Sequence, residues 1–580
     1  MRMRIKEIVK KRSNYQFIII VALFSLLTIF FVKMNKTYLL SGADFGFHRL
    51  RLLGLVQSIT NGDFFPKINY IMANGLGYGV PMFYGQWFFY FPALLMTLLS
   101  FSFTRAWLSL YVLYYIIVLI LNYFIGRKFS MSIFRSFIFS LILVFNPLIT
   151  SIVNGDLPFA ICLMLTPSIL YCLWRIMYFQ ENHYIFLAVL VIIVLNTHVL
   201  STIILAFVCL LWVVLNLNKF NLSKSFILLK AILLAMLLSA SFWIPLLEQM
   251  ISQKLKGSGL SDAFRYISVH GLNDIFTNSL NDSIGSITHF PTISLVGLIL
   301  FFCILFSYSK SDEFSKKTFL LISFIIVFSS NMFPWVFFGH TAIGAVQFVG
   351  RYLLFALVLI IMVSAQQKII PNAVFVFCLF LTLSSTISQQ MLPEVSNEEA
   401  LNKYFDGELY EAAVDKYNIL NDIDDLLSGE KQVNGVSGGE YLNISTDLLL
   451  TNNNEIKSEN VNLFNIKKEY GSLSFDYDLK NDLEPANIII PFIWYKGYVA
   501  DYSNDGQGTQ PSLNNHYTVG EVNDKGKVSI DVTKSGHVHV YYSRTVIQKI
   551  SSILSFVCWL GLFLFIFKKT TIYFSNNKIQ

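Results

Sequence analysis

From Tyr15 to Ser388 the chain alternates apolar runs of about 20 residues with short polar or basic breaks; a polar stretch and one more apolar run follow. A helix of that length crosses a hydrocarbon core of about 30 Å. The pattern predicts helices over 15–34, 106–125, 133–153, 158–178, 226–247, 318–335, 370–388 and 546–567, with one ahead of Lys310 and one from near Ile343. The 35-residue run from His183 to Leu217 is too long for one span, and Asn196-Thr-His198-Val-Leu-Ser201 divides it in two. That makes twelve spans.

Basic breaks set the sides of the membrane. Arg2, Arg4, Lys6, Lys10, Lys11 and Arg12 precede the first run, and no small-residue cleavage site follows it, so a retained first helix with a cytoplasmic amino end is expected. Arg127, Lys128 and Arg135 then belong inside only if Pro81–Phe103 does not cross. This aromatic segment is expected to lie in the outer interface, within a long outer loop over 35–105. The same parity puts loop 248–290 outside and Lys568 and Lys569 inside, so both termini are cytoplasmic.

The polar stretch reads differently. Ser472-Leu-Ser-Phe-Asp-Tyr, Lys527-Val-Ser-Ile-Asp-Val and His537-Val-His-Val-Tyr-Tyr alternate with period two, after a helical pattern over 398–427 and a Gly- and Asn-rich link. The expectation is a polytopic α-helical membrane protein with a mostly-β, sandwich-like extracytoplasmic domain before the last helix. Its parts are a membrane domain over 1–389, the soluble domain over 390–545, and a final helix with its tail over 546–580.

Charge sharpens that division. Residues 390–545 hold 25 of the chain's 36 acids but only 12 of its 43 Lys and Arg, a net of −13. The rest carries +20, which is membrane topology and gives no reason to expect nucleic acid. At 54% hydrophobic, with a mean hydropathy of +0.57, the 580-residue chain is no soluble enzyme. All six cysteines lie inside apolar runs without metal-ligand spacing, so neither disulfides nor zinc are expected.

Only 11 acids fall outside 390–545, and the parity puts seven of them on the outer side. Of these, Asp44 and Asp156 sit close to spans in short, Gly-containing, otherwise apolar surroundings, where ionisable groups are costly and usually functional. Each has a bland reading as well. Ser41-x-x-Asp44 has capping-box spacing, and Asn-Gly-Asp156-Leu-Pro is an ordinary helix start. A helix through Asp44 would align it with His48 and Arg51. His198 interrupts an apolar run at the outer surface, either as a kink residue or as a ligand-binding group. Arg351 lies in an apolar helix one turn after Gln347 and needs an anion, a protein carboxylate or a ligand phosphate. Arg49, Arg51 and Lys67 are expected at the membrane lipid headgroups. Gly75-Leu-Gly77-Tyr-Gly79 lacks the strand and helix that a nucleotide loop requires.

The order of these segments resembles a known family. Asp44…His48-Arg49, Gly62-Asp-Phe-Phe-Pro66, Gly75-x-Gly77-x-Gly79-x-Pro81, Asn154-Gly-Asp156, Asn196-Thr-His198, Gln347-Phe-x-x-x-Arg351 and Pro491-Phe-Ile-Trp-Tyr-x-Gly497-Tyr look like the bacterial membrane proteins named 6-pyruvoyl-tetrahydropterin synthase related and the neighbouring YfhO-like proteins. Both resemble GT-C glycosyltransferases. The resemblance covers nearly the whole chain and carries no implication of pterin chemistry. It implies a bacterial cell-membrane enzyme that takes a sugar from a polyprenyl-phosphate carrier to a cell-envelope glycopolymer, teichoic acid or polysaccharide. It makes Asp44 and Asp156 catalytic and leaves His48, His198, Gln347 and Arg351 to bind substrate. The chain departs from the pattern in having no Asp-x-Asp or Glu-Asp pair at Asp156. No metal-ligand set is therefore assigned, and at most a weakly held divalent cation is expected. A second expectation, from a different class, is a non-catalytic lipid-linked-glycan transporter or cell-envelope assembly protein.

Overall fold

The computed structural model describes residues 2–40, 44–256, 269–281, 291–338, 341, 348–388, 423–428, most of 433–446, 455–503 apart from 459 and 482–484, then 516–518 and 526–578. It is mostly helical, with several apolar helices and a separate β-sheet domain near the carboxyl end. In chain order the helices are α1 (Arg2–Met34), α2 (Lys36–Leu39), α3 (Phe45–Thr60), α4 (Val80–Phe83), α5 (Tyr90–Leu99), α6 (Phe103–Lys128), α7 (Ile133–Val144) and α8 (Pro147–Gly155). Next come α9 (Leu157–Phe179), α10 (Tyr184–Thr197), α11 (Val199–Leu215), α12 (Leu222–Leu238), α13 (Ala240–Ser252), α14 (Leu272–Leu280) and α15 (Leu295–Ser307). The series ends with α16 (Glu313–Phe328), α17 (Trp335–Phe338), α18 (Arg351–Gln366), α19 (Asn372–Thr386), α20 (Ile423–Ser428) and α21 (Val546–Lys578).

Among the described residues four helices are long and apolar enough to cross a membrane: Tyr15–Met34, α6, α9 and Val546–Lys569. Two bent pairs raise that number to six if each pair is one span: α7 with α8 at 50°, and α12 with α13 at 74°. The first bend has a visible cause, since Asn146 caps α8 and Pro147 cannot continue α7. The apolar segment over 81–103 is broken into α4, a 3₁₀ turn over Trp87–Phe89 and the ten-residue α5. The long run from His183 breaks at His198, the residue between α10 and α11.

The chain divides into two compact units. The first comprises residues 1–46, 101–232 and 260–420. Its centre is α18, in which every side chain from Tyr352 to Ala365 is buried; α7, α9, α15 and α16 pack around it. At one end of it, Arg135 donates to the Gln367 carbonyl at 2.5 Å, the Ile370 carbonyl at 2.7 Å and Asn372 Oδ1 at 2.8 Å. That fork ties α7 to the turn between α18 and α19.

The second unit comprises residues 47–100, 233–259 and 421–580. It holds two antiparallel sheets. One has the order β1-β4-β7, from Lys457–Ser458, Ala486–Ile493 and Lys527–Val532. The other has the order β2-β3-β8-β5-β6, from Val461–Glu469, Ser472–Leu479, Gly536–Tyr542, Tyr498–Ser503 and His516–Thr518. One buried cluster takes Phe475 and Tyr477 from β3, Ile488 and Ile490 from β4, Ile530 from β7 and Val540 from β8, so both sheets face the same core. Beneath it the Gly75–Gly79 turn hydrogen-bonds to the domain, Ile493 N–H donating to the Leu76 carbonyl at 2.9 Å. Gly79 has to be glycine there: a Cβ would stand 2.7 Å from the Tyr495 ring. The helical expectation over 398–427 lies outside the described residues except for the α20 turn.

Candidate functional site

The first unit brings four of the six singled-out residues into one electrostatic cluster. Asp156 ends α8 and starts α9. Its Oδ1 accepts the Phe159 N–H at 3.1 Å, so the capping role is real. Its Oδ2 stands 3.8 Å from Nε2 of His198. His198 in turn caps α11, with Ser201 N–H donating to Nδ1 at 3.1 Å and Ser201 Oγ 2.6 Å from the same nitrogen. An Nδ1 that accepts carries no proton, so the ring is neutral and its Nε2–H faces Asp156.

Arg351 opens the buried helix α18. A cation at a helix amino end has the wrong sign for the helix dipole, which increases its demand for a nearby anion. Its guanidinium lies 5.6 Å from the Phe159 ring centre and 5.2 Å from that of Phe348. The His198 ring also stacks on Phe159, at 6.1 Å. Phe159 thus packs against both the guanidinium and the imidazole.

Asp44 comes from a different part of the chain, between α2 and α3. Asn35 Nδ2 donates to Asn154 Oδ1 at 3.2 Å, two residues before Asp156. Trp107 of α6 donates to the Leu39 carbonyl at 2.9 Å, and Phe45 packs edge-on against the same indole at 5.3 Å. Asp44 keeps an exposed face, yet the protein around its carboxyl shapes its ionisation. Desolvation raises it most, the Asp156 charge raises it further, and the Arg351 charge pulls it partly back, leaving it at about 6 instead of 3.8. A carboxyl poised there is suited to accepting a proton near neutral pH.

Two expected partners, His48 and Arg51, belong to the second unit. The helix begins at Phe45, one residue after Asp44, so the helical face supposed for Asp44, His48 and Arg51 holds only for the last two. His48 is in the second unit, where its Nδ1 meets Arg51 Nη1 at 3.1 Å. Arg51 is fully buried. It donates to the Tyr84 carbonyl at 3.0 Å and the Gly85 carbonyl at 2.6 Å, with its guanidinium 4.1 Å from the Tyr84 ring centre. These contacts give Arg51 and His48 a packing role inside that unit, in place of the headgroup contact expected for Arg51. Gln347 lies outside the described residues.

Phe159 and Ser201 were not singled out by the sequence. Ser201, three residues after His198, is at the spacing where an N-cap side chain meets the N3 residue, which is a readable signal. Phe159 on an apolar helix gave none. Among the described residues no group of three or more His, Cys, Asp and Glu side chains gathers as a metal site. No family model matches the chain, and no curated protein matches it.

Proposed function

We propose that the protein is a membrane glycosyltransferase of the GT-C kind, moving a sugar from a polyprenyl-phosphate carrier to an extracytoplasmic cell-envelope acceptor. In this reading the apolar helices make twelve spans, and the two sheets form a β-sandwich outside the membrane that presents the acceptor. Asp44 is the general base. A neutral hydroxyl attacking an anomeric carbon must lose its proton, and a carboxyl held at about 6 takes it while mostly ionised at neutral pH. Arg351 neutralises the donor phosphate, which leaves as a stabilised anion without needing a strong acid. Asp156 orients the acceptor, with the His198 Nε2–H beside it as a neutral donor.

The observation that carries the reading is the coupling of Asp44 to both Asp156 and Arg351, three groups from distant segments in one unit. Membranes containing the Asp44→Asn protein, supplied with radiolabelled polyprenyl-phosphate sugar, should transfer at least about a hundredfold less label than wild type, the usual scale for losing a general base. Undiminished transfer would remove Asp44 from the chemistry and favour the non-catalytic reading.

A further inference from the structure

The second unit contains a cavity of about 380 Å³ that the transferase chemistry does not use. Its volume is within the range of small-molecule pockets, roughly 300–1,000 Å³. Three aromatic side chains line it: Tyr70, Tyr470 and Phe492. Tyr70 is set edge-on to Tyr470 at 5.2 Å and to Phe492 at 6.0 Å, so the rings form a fixed corner. Hydrogen bonds hold the frame. Tyr470 OH donates to Ser58 Oγ at 2.6 Å, and Gln57 Nε2 donates to the Leu427 carbonyl at 3.3 Å. Gly471, with φ at +70°, lets the β2–β3 turn close over Tyr70.

The polar groups indicate what fits. Gln57 and Asn61 both line the cavity. The Gln57 Oε1 atom is buried and accepts no hydrogen bond among the described residues, which leaves an unmet acceptor on a residue that lines the cavity. The two charged lining residues, Lys468 and Glu469, are adjacent and opposite in sign, which leaves the lining without net charge. A phosphate or nucleotide site would have a surplus of cations. Aromatic faces, side-chain amides and balanced charge together suit a neutral, hydroxyl-rich ring with one apolar face.

We infer that this cavity is a glycan subsite, seating one neutral sugar residue of a cell-envelope polymer against Tyr70 and Tyr470 with Gln57 as hydrogen-bond acceptor. The proposal rests on the transferase reading only in naming the glycan as the acceptor; binding itself is a separate property. The full-length protein in detergent is titrated calorimetrically with chitotriose and maltotriose, both neutral oligosaccharides, and with inorganic pyrophosphate. At least one oligosaccharide should bind saturably, and any pyrophosphate binding should be the same in wild type, Tyr470→Ala and Gln57→Leu. Tyr470→Ala and Gln57→Leu should each weaken binding about tenfold, the scale of losing one aromatic or hydrogen-bonded contact. Tyr470→Phe keeps the ring but gives up the bond to Ser58 and should bind more tightly than Tyr470→Ala, which separates loss of the ring from loss of the hydrogen bond. Pyrophosphate binding lost in Tyr470→Ala or Gln57→Leu, no oligosaccharide binding, or oligosaccharide binding indifferent to those two substitutions would overturn the proposal. No donor is present in the titration, so a failed transfer assay leaves this result standing, and the converse also holds.

Discussion

The carboxyl of Asp44 offers the sharpest quantitative test, because burial and two named charges set its ionisation and the two charges act in opposite directions. At its ordinary 3.8 it would be more than about nine-tenths ionised at pH 5; held at about 6, it is about one-tenth ionised there and about nine-tenths at pH 7. Infrared difference spectra of wild type against Asp44→Asn across pH 3–9 isolate the carbonyl stretch of this one group. Wild type should show its midpoint near 6. Asp156→Asn removes a neighbouring negative charge and should move the midpoint down, though not back to 3.8, since desolvation is the larger cause. Arg351→Gln removes the only lowering influence among the three and should move it up. Stability follows the same sign. The folded carboxyl holds its proton more tightly than the unfolded one, so this contribution is complete below about pH 4 and is lost as pH rises toward about 6. Transfer should show the opposite trend, rising through about pH 6 as the base ionises. A wild-type midpoint near 4, or shifts of the wrong sign in the two variants, would refute the electrostatic assignment.

Further outcomes follow from individual contacts. Asp156→Ala loses the α9 cap and should cost about 1 kcal/mol in thermal unfolding, whereas Asp156→Asn, which still caps, should keep nearly all of that stability. Arg135→Ala leaves the Gln367 and Ile370 carbonyls without their charged donor and should destabilise by about 2 kcal/mol or more, read from the denaturation midpoint. Gly471→Ala places a side chain in the left-handed region with its Cβ 2.8 Å from the Tyr70 ring, and about 1–2 kcal/mol of destabilisation should appear in thermal melts.

Parts of this structure were legible in the sequence for definite reasons. Strands β3, β7 and β8 have one buried face, and their period-two alternation shows it. β4 hides because Ile488-Ile-Ile-Pro-Phe-Ile493 is a continuous apolar run, which periodicity cannot assign to a strand or a helix. The bend at Asn146-Pro147 has a breaker in the sequence, while the 74° bend at Ser239 has neither glycine nor proline at the break. The grouping of Asp44, Asp156, His198 and Arg351 could be anticipated because the expected topology puts all four segments on one side. Asp44 lies one residue before α3, and an acid before an apolar run fits a first-turn residue as well as one just outside.

The short strap from Asn35 to Phe45 has a consequence beyond placing a residue. Its two ends are fastened, one by the Asn35–Asn154 bond and the other by packing of Phe45 on Trp107. In the proposed reaction Asp44 would therefore act as a tethered reagent, flanked by fixed contacts. Its effective concentration beside Asp156 is a property of the chain and needs no substrate to establish it. Loosening the strap with Trp107→Leu would dilute the carboxyl without altering its charge environment directly, an entropic loss that leaves the chemistry of the group intact.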